Sequence, residues 1–471
     1  MIDRRQFFSW ASGGLAGAAA AALMARAGSA RGADAARAGA HHAPRAKRAI
    51  HITLCGAMSH VDSFDHKPGL IARHGKTLDT PTRPDAFFGL VGRLRAPDWA
   101  FRQRGESGLW VSDLFPHIAG VADELTVIRS MVAETANHTP ATFQQNSGFR
   151  LNGYPAMGSW LSYGLGSEAD DLPAFVVIPD ARELPAGGAT NWSNGFLPAR
   201  HQGVVIRPKG EPIEDLFAAR PVAPGAEAAA RDLVAALNRR HLDAHDGEDA
   251  LAARIRGYEL AARMQASVPG VTDLAGESAE TLALYGLDRP ETADFARSCL
   301  LARRLMERGV RFVQLLSGGT FGGPRRNWDG HEDVKFNHGQ EARRIDQPVA
   351  ALLRDLRRRG MLDDTLVLFT TEFGRTPFAQ SKADVVGLGR DHNNLGFTAW
   401  MAGAGLKHGL AHGMTDEIGW KAVQDPVTWP DFHATVLHLL GIDHQKLTYY
   451  HNGIQRRLTN VHGEVIKAIL A

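Results

Sequence analysis

The chain has 471 residues, a formal charge of +2 from 53 Lys+Arg against 51 Asp+Glu, and two cysteines. Near-neutrality excludes a protein that binds nucleic acid through bulk positive charge, and two cysteines exclude a disulfide scaffold. The length provides for a large core, and no Pro/Gly/Ser linker or internal repeat divides it, so one large domain with insertions is expected.

The N-terminus, "MIDRRQFFSWASGGLAGAAAAALMARAGSA", has Arg4 and Arg5 before a Gly/Ala-rich apolar run and ends in small residues. This pattern predicts a twin-arginine signal over 1–30 that hands a folded chain to the twin-arginine export machinery. Its removal takes three arginines and one aspartate and leaves 50 basic and 50 acidic residues. The expected location is therefore outside the cytoplasm, periplasmic or extracellular. No later run reaches the about 20 apolar residues that span a bilayer, so no membrane span is expected in the mature chain. Residues 31–48 lack periodicity and read as a disordered leader.

Short, almost continuously apolar runs follow at 49–56, 125–131, 174–179, 311–316, 365–371 and 397–403, as parallel strands covered on both faces require. Helical patterns occupy 290–309 and 341–360, each ending at Gly, and 428–441, begun by Trp429 and Pro430. Arginines near the ends of the first two complement the helix dipole and read as solvated faces. The region 180–232, rich in Pro, Gly and Ala, reads as an irregular insertion. The alternation predicts an α/β fold: a doubly wound, mostly parallel sheet with helices on both faces, over 49–471. Cys55 and Cys299 fall in apolar patterns and are expected as buried thiols. Trp160, Trp192, Trp328 and Trp400 are expected in packing, with Trp328 the candidate for stacking on a ligand ring.

In open α/β sheets, ligands gather beyond the carboxyl ends of the strands. The polar clusters of this chain fall in those loops: "AMSHVDSFD" with Asp62, "NWDGHEDVKFNHG" (327–339) with Asp329 and His331, "TEFGRTPF" with Glu372 and Arg375, and "GRDHNN" with His392. Imidazoles and carboxylates in such loops can hold one or two divalent cations, Zn, Mn or Ca, and an arginine such as Arg375 can clamp an oxyanion. Asp62, Asp329, His331, Glu372 and His392 are expected to converge within about 10 Å as metal ligands. In "NHTPATF", Thr139 is expected to cap a helix whose first residue is Pro140, which places a hydroxyl at a positive helix end as a candidate nucleophile.

These loops, with "HITLCGAMSHVDSFDHKPGL", "GRDHNNLGFTAWMAGAGLKHG" and "DFHATVLHLLGID", resemble the domain-of-unknown-function 1501 family of exported bacterial proteins over essentially the whole mature chain. That family is similar to the alkaline phosphatase and sulfatase-like superfamily. The resemblance implies a metal-dependent hydrolase of an anionic phosphate or sulfate ester, with a small-molecule or glycan substrate. It implies Asp62 as the first metal carboxylate, Asp329 and His331 as an Asp-then-His ligand loop, and His392 as the late histidine. Glu372-Phe373 stands where many members have Asp-His, which removes one imidazole. The alternative is a degenerate member that binds an envelope glycan or protein partner without catalysis. No C/S-x-P-x-R motif is present, which argues against formylglycine sulfatases.

Overall fold

A computed structural model describes residues 39–80, 84, 86–214, 225–244, 249–320 and 325–471. The proposed signal, and the leader up to residue 38, lie outside the described residues. From His41 onward the chain is tied down, not free as expected through 48: His41 N donates to Gly441 O, Arg45 and Ala46 N to Leu439 O, and Lys47 N to Asp364 O. These bonds feed it into the first strand.

Among the described residues, nine strands form one sheet. In chain order they are β1 (Arg48–Leu54), β2 (Leu125–Val132), β3 (Phe175–Ile178), β4 (Val204–Val205), β5 (Phe312–Ser317), β6 (Thr365–Thr371), β7 (Phe397–Gly403), β8 (Leu410–His412) and β9 (Val427–Thr428). Across the sheet the order is β8-β2-β7-β6-β1-β5-β3-β4, with β9 also against β2. Every pairing is parallel except those of β7, which runs antiparallel to β2 and β6. The reversal follows from a hairpin, Gly374–Ala379 with Arg390–Asn393, that turns the chain back at the rim instead of carrying it over a face. The irregular segment expected from 180 includes β4, which extends the sheet edge, and gives way at Ala226 to a helix that runs to Asp243.

Strand residues alternate between two cores. Ile50, Ile52 and Leu54 face helices α3 (Ala293–Glu307) and α4 (Val334–Arg358), whereas Ala49 and Cys55 face α1 (His138–Ser147), α2 (Met157–Leu165) and α5 (Trp429–Leu439). Both faces are thus covered, which is why these strands are apolar nearly throughout. The second face also carries a polar patch. His51 Nε2 lies 2.8 Å from Thr370 Oγ1, Gln145 Nε2 donates to Thr370 Oγ1 at 2.5 Å, and Gln314 Nε2 donates to Asn146 Oδ1 at 2.8 Å. These bonds pin the C-terminal half of α1 to the central strands and so fix its N-terminus, which points at the loop rim. Cys55 and Cys299 are buried free thiols, as expected. The four named tryptophans are all buried, and Trp328, packed against Phe115 and His338, exposes no ring face for stacking. No helix among the described residues is long and apolar enough to cross a membrane.

Candidate metal centre

The loop 327–339 divides its polar residues among different tasks. Asp333 caps α4 by accepting from Phe336 N at 2.9 Å, and His338, already inside the helix, accepts from Ser59 N at 2.9 Å. Asp329 and His331 turn the other way, toward the ends of β1 and β6. There they meet His392 from the rim hairpin and His138 from the start of α1, and one donor atom from each of the four lies within 4.8 Å of the others. All four are buried.

The imidazoles are oriented by what lies behind them. His138 Nδ1 is 2.7 Å from Glu372 Oε1, His392 Nδ1 is 2.6 Å from the carbonyl of Ala136, and His331 Nδ1 is 2.5 Å from Gln380 Oε1. Carboxylate and carbonyl oxygens only accept, so each Nδ1 carries a proton, and it is Nε2 that a neutral ring would offer to an ion. These three nitrogens converge: Nε2 of His331 is 2.9 Å from Nε2 of His392 and 2.7 Å from Asp329 Oδ1, and Nε2 of His138 is 3.2 Å from the same oxygen. Two lone pairs at that distance would repel, so either a proton or a cation lies between the two nitrogens. The donor set, three imidazoles and one carboxylate, fits a borderline divalent ion.

At His392 and Asp329 electrostatics favour the deprotonated forms that an ion needs, and at His138 they oppose it. Burial, reinforced by Arg375 and the neighbouring histidines, takes the His392 pKa down to about 2, outweighing a hydrogen bond to Asp329. Burial would raise Asp329, but Arg375 beside it and hydrogen bonds from the three histidines hold the carboxyl far below its usual range. At His138 burial acts downward and is overcome by Asp329 and Glu372, which raise the pKa.

The expected site residues separate. Asp329, His331 and His392 come together. Glu372 stands one step back: it orients His138 and accepts from Gly56 N at 2.8 Å. Asp62 is not in the cluster, because its carboxylate is held by Arg390 Nε at 2.8 Å and by Ser59 Oγ at 2.5 Å. Arg375 is fully buried and not free to clamp a substrate; it donates to Asp329 Oδ1 at 2.6 Å, to Gly56 O and to Ala57 O. The guanidinium beside the cluster that retains solvent contact is Arg325, which pairs with the other oxygen of Asp329 and with Glu332. Thr139 is half-buried in the first turn of α1 and is not its cap; Asn137 takes that position because helical backbone begins at His138. His138 is the member of the cluster that sequence reasoning passed over, although the signal was present in "NHTP", where a histidine opens a helix beyond a strand.

Residues 46–470 match a family described as proteins of unknown function, DUF1501. The chain belongs to that family. No curated protein matches it in sequence. Among solved structures, it is similar to the PsFucS1 sulfatase from Pseudoalteromonas sp., at 12% identity over 87% of this chain and 70% of that one, with a TM-score of 0.37. It is similar also to the phosphonate monoester hydrolase SpPMH from Silicibacter pomeroyi, at 13% identity over 76% and 71%, with a TM-score of 0.33. A third is a mutant of TAB5 alkaline phosphatase with Mg bound, at 10% identity over 85% and 98%, with a TM-score of 0.34.

In this DUF1501 protein the Glu372–His138 bond has a testable consequence. A carboxylate behind a ligand histidine fixes the ring and raises its basicity, and its loss typically costs about 10–100-fold in metal affinity. Glu372→Gln is therefore expected to weaken zinc binding by about that factor, measured by competition with a chromophoric chelator. An unchanged affinity would show Glu372 to be only a packing partner of Gly56.

Proposed function

We propose that this chain is an exported hydrolase of an anionic ester, phosphate more than sulfate, built around one divalent ion held by His138, Asp329, His331 and His392. The observation that carries the reading is the convergence of three Nε2 atoms and one carboxylate oxygen, each ring fixed from behind by an oxygen acceptor. Three nitrogen donors favour zinc over manganese and disfavour calcium, which prefers a shell of oxygens. One ion is the better reading than two, because Asp62 is neutralised by Arg390 and Glu372 is engaged with His138.

Such an ion supplies Lewis acidity toward the ester oxygen and a lowered pKa for a bound water or hydroxyl. The chain supplies the rest. Glu372 holds His138 in one tautomer, Arg375 keeps Asp329 ionised from the buried side, and Arg325 offers the cation that a substrate oxyanion can reach. Thr139, next to His138 in the helix's first turn, remains the candidate nucleophile. A small-molecule or glycan ester is the proposed substrate.

One observation favours a second reading. Both oxygens of Asp329 are already ion-paired, to Arg375 and Arg325, so the cluster is partly neutralised without an ion, as a non-catalytic binder of a glycan or protein partner would permit. Elemental analysis of the purified mature chain, together with an assay on 4-nitrophenyl phosphate, separates the two. About one zinc per chain with turnover is expected; a metal-free, inactive protein would leave the binder. Export is a separate part of the proposal and rests on Arg4 and Arg5 ahead of a weakly apolar run. Arg4→Lys with Arg5→Lys should strand the precursor in the cytoplasm on fractionation, and normal export of that variant would refute the twin-arginine assignment.

A further inference from the structure

The four donors are buried, yet the side of the cluster formed by His331 and His392 is bordered by two of the more exposed phenylalanines in the described chain. Phe87 is 46% exposed and Phe88 53%. The Phe87 ring lies 4.7 Å from the His392 ring, centroid to centroid, and Phe88 meets His331 edge-on at 4.8 Å and His392 at 5.6 Å. The two phenylalanines stand edge-to-face at 5.0 Å. Their backbone is anchored to the site: Phe88 N donates at 2.9 Å to Asp391 Oδ2, the carboxylate of the residue preceding His392. The strand-like run beyond is held to the rim hairpin by Gly92 N to Ala379 O and Arg93 N to Val385 O.

Single exposed apolar residues are ordinary on protein surfaces. An adjacent aromatic pair, bonded in place and touching two ligand histidines, is a different arrangement, because it leaves two ring faces wet at the edge of a polar, cationic site. Exposed Leu90 lies in the same run, and exposed Val385 and Leu388 lie in the hairpin loop beside it. Opposite in chemistry stands Arg325, at Asp329. A ligand that satisfied both would bring an anion to the cluster and a ring to the wall. Aromatic walls of this kind accept either an aryl ring or the apolar face of a sugar.

We infer that Phe87 and Phe88 form the leaving-group wall of this site and select an anionic ester whose ester oxygen carries a ring, aryl or sugar, over one that carries a small alkyl group. The inference rests on the reading of the cluster as a metal centre. It names the part of the substrate that the four donors do not touch.

The test is binding to the zinc-loaded full mature chain, followed by calorimetry, with metal content measured on the same samples. Phenylphosphonate is expected to bind about tenfold tighter than methylphosphonate, and glucose 1-phosphate in the same series separates a sugar ring from an aryl ring. Phe87→Ala with Phe88→Ala should erase the preference for the ring probe while zinc stoichiometry is kept. Phe87→Leu with Phe88→Leu should retain part of it and guards against a misfolded double-Ala variant. Equal binding of all three probes to the parent, or a preference that survives the double-Ala change, overturns the inference while the metal centre stands. A parent chain that takes up no zinc overturns the metal reading itself, and the wall with it.

Discussion

Replacing His392 by Ala is expected to weaken zinc binding by on the order of 10²-fold or more, with hydrolysis falling in parallel. Structural zinc sites of four ligands carry roughly 10–16 kcal/mol of apparent binding energy, so one ligand accounts for about 2–4 kcal/mol, and each 1.4 kcal/mol is tenfold. The cost to the fold without metal should be much smaller. The change leaves the carbonyl of Ala136 and Nε2 of His331 without a ring partner, about 1–3 kcal/mol where water does not replace it. In chelator, the urea midpoint of the variant should lie close to that of the parent; with zinc, the parent alone should gain stability. A variant that keeps its zinc yet unfolds at clearly lower urea would show His392 to be a structural residue.

The second large effect is expected at Asp62, with the opposite signature. Asp62→Ala leaves the Arg390 guanidinium fully buried without its counter-charge, and breaking a buried pair from one side typically costs about 3–5 kcal/mol. Zinc affinity should change little, because the carboxylate faces Arg390, Ser59 and Asp98 N and not the imidazoles. A pH signature accompanies this. Burial acts to raise the Asp62 pKa, but Arg390, Arg95 and Ser59 outweigh it, so the folded value lies below that of the unfolded chain. The stabilisation is therefore complete above the unfolded carboxyl value, about 3.9, and is lost as pH falls toward the lower folded value. Parent and Asp62→Ala should accordingly differ most in urea midpoint near neutrality and converge in strong acid. Loss of zinc without loss of stability would return Asp62 to the role of ligand that its place after β1 implied.

The contrast between Asp62 and His138 marks what the primary structure could convey. Runs such as "TLVLFTT" and "FTAWMAG" are apolar throughout because both faces of the sheet are covered, so β6 and β7 could be bounded from residue type alone. The order of strands and polar loops likewise placed Asp329, His331 and His392 at one rim, since a parallel sheet collects its βα loops at one edge. The direction of β7 was not legible, because a rim hairpin and a crossover helix are both compatible with the residues that precede it. Nor was the partner of each carboxylate. An aspartate after a strand has the same local sequence whether its counter-charge is a metal ion or a guanidinium 328 positions away, as for Asp62 and Arg390. Glu372 came to stand behind the four-residue cluster and not in it, once α1, pinned to the sheet by Gln145 and Asn146, brought His138 against it. Phe87 and Phe88, in a stretch without periodicity, acquired meaning only through the rings that they touch. Composition and hydrophobic pattern determined the elements and the rim at which chemistry gathers, because those depend on local period and burial. The tertiary structure decided which donors face one another, because that depends on contacts between residues far apart in the chain.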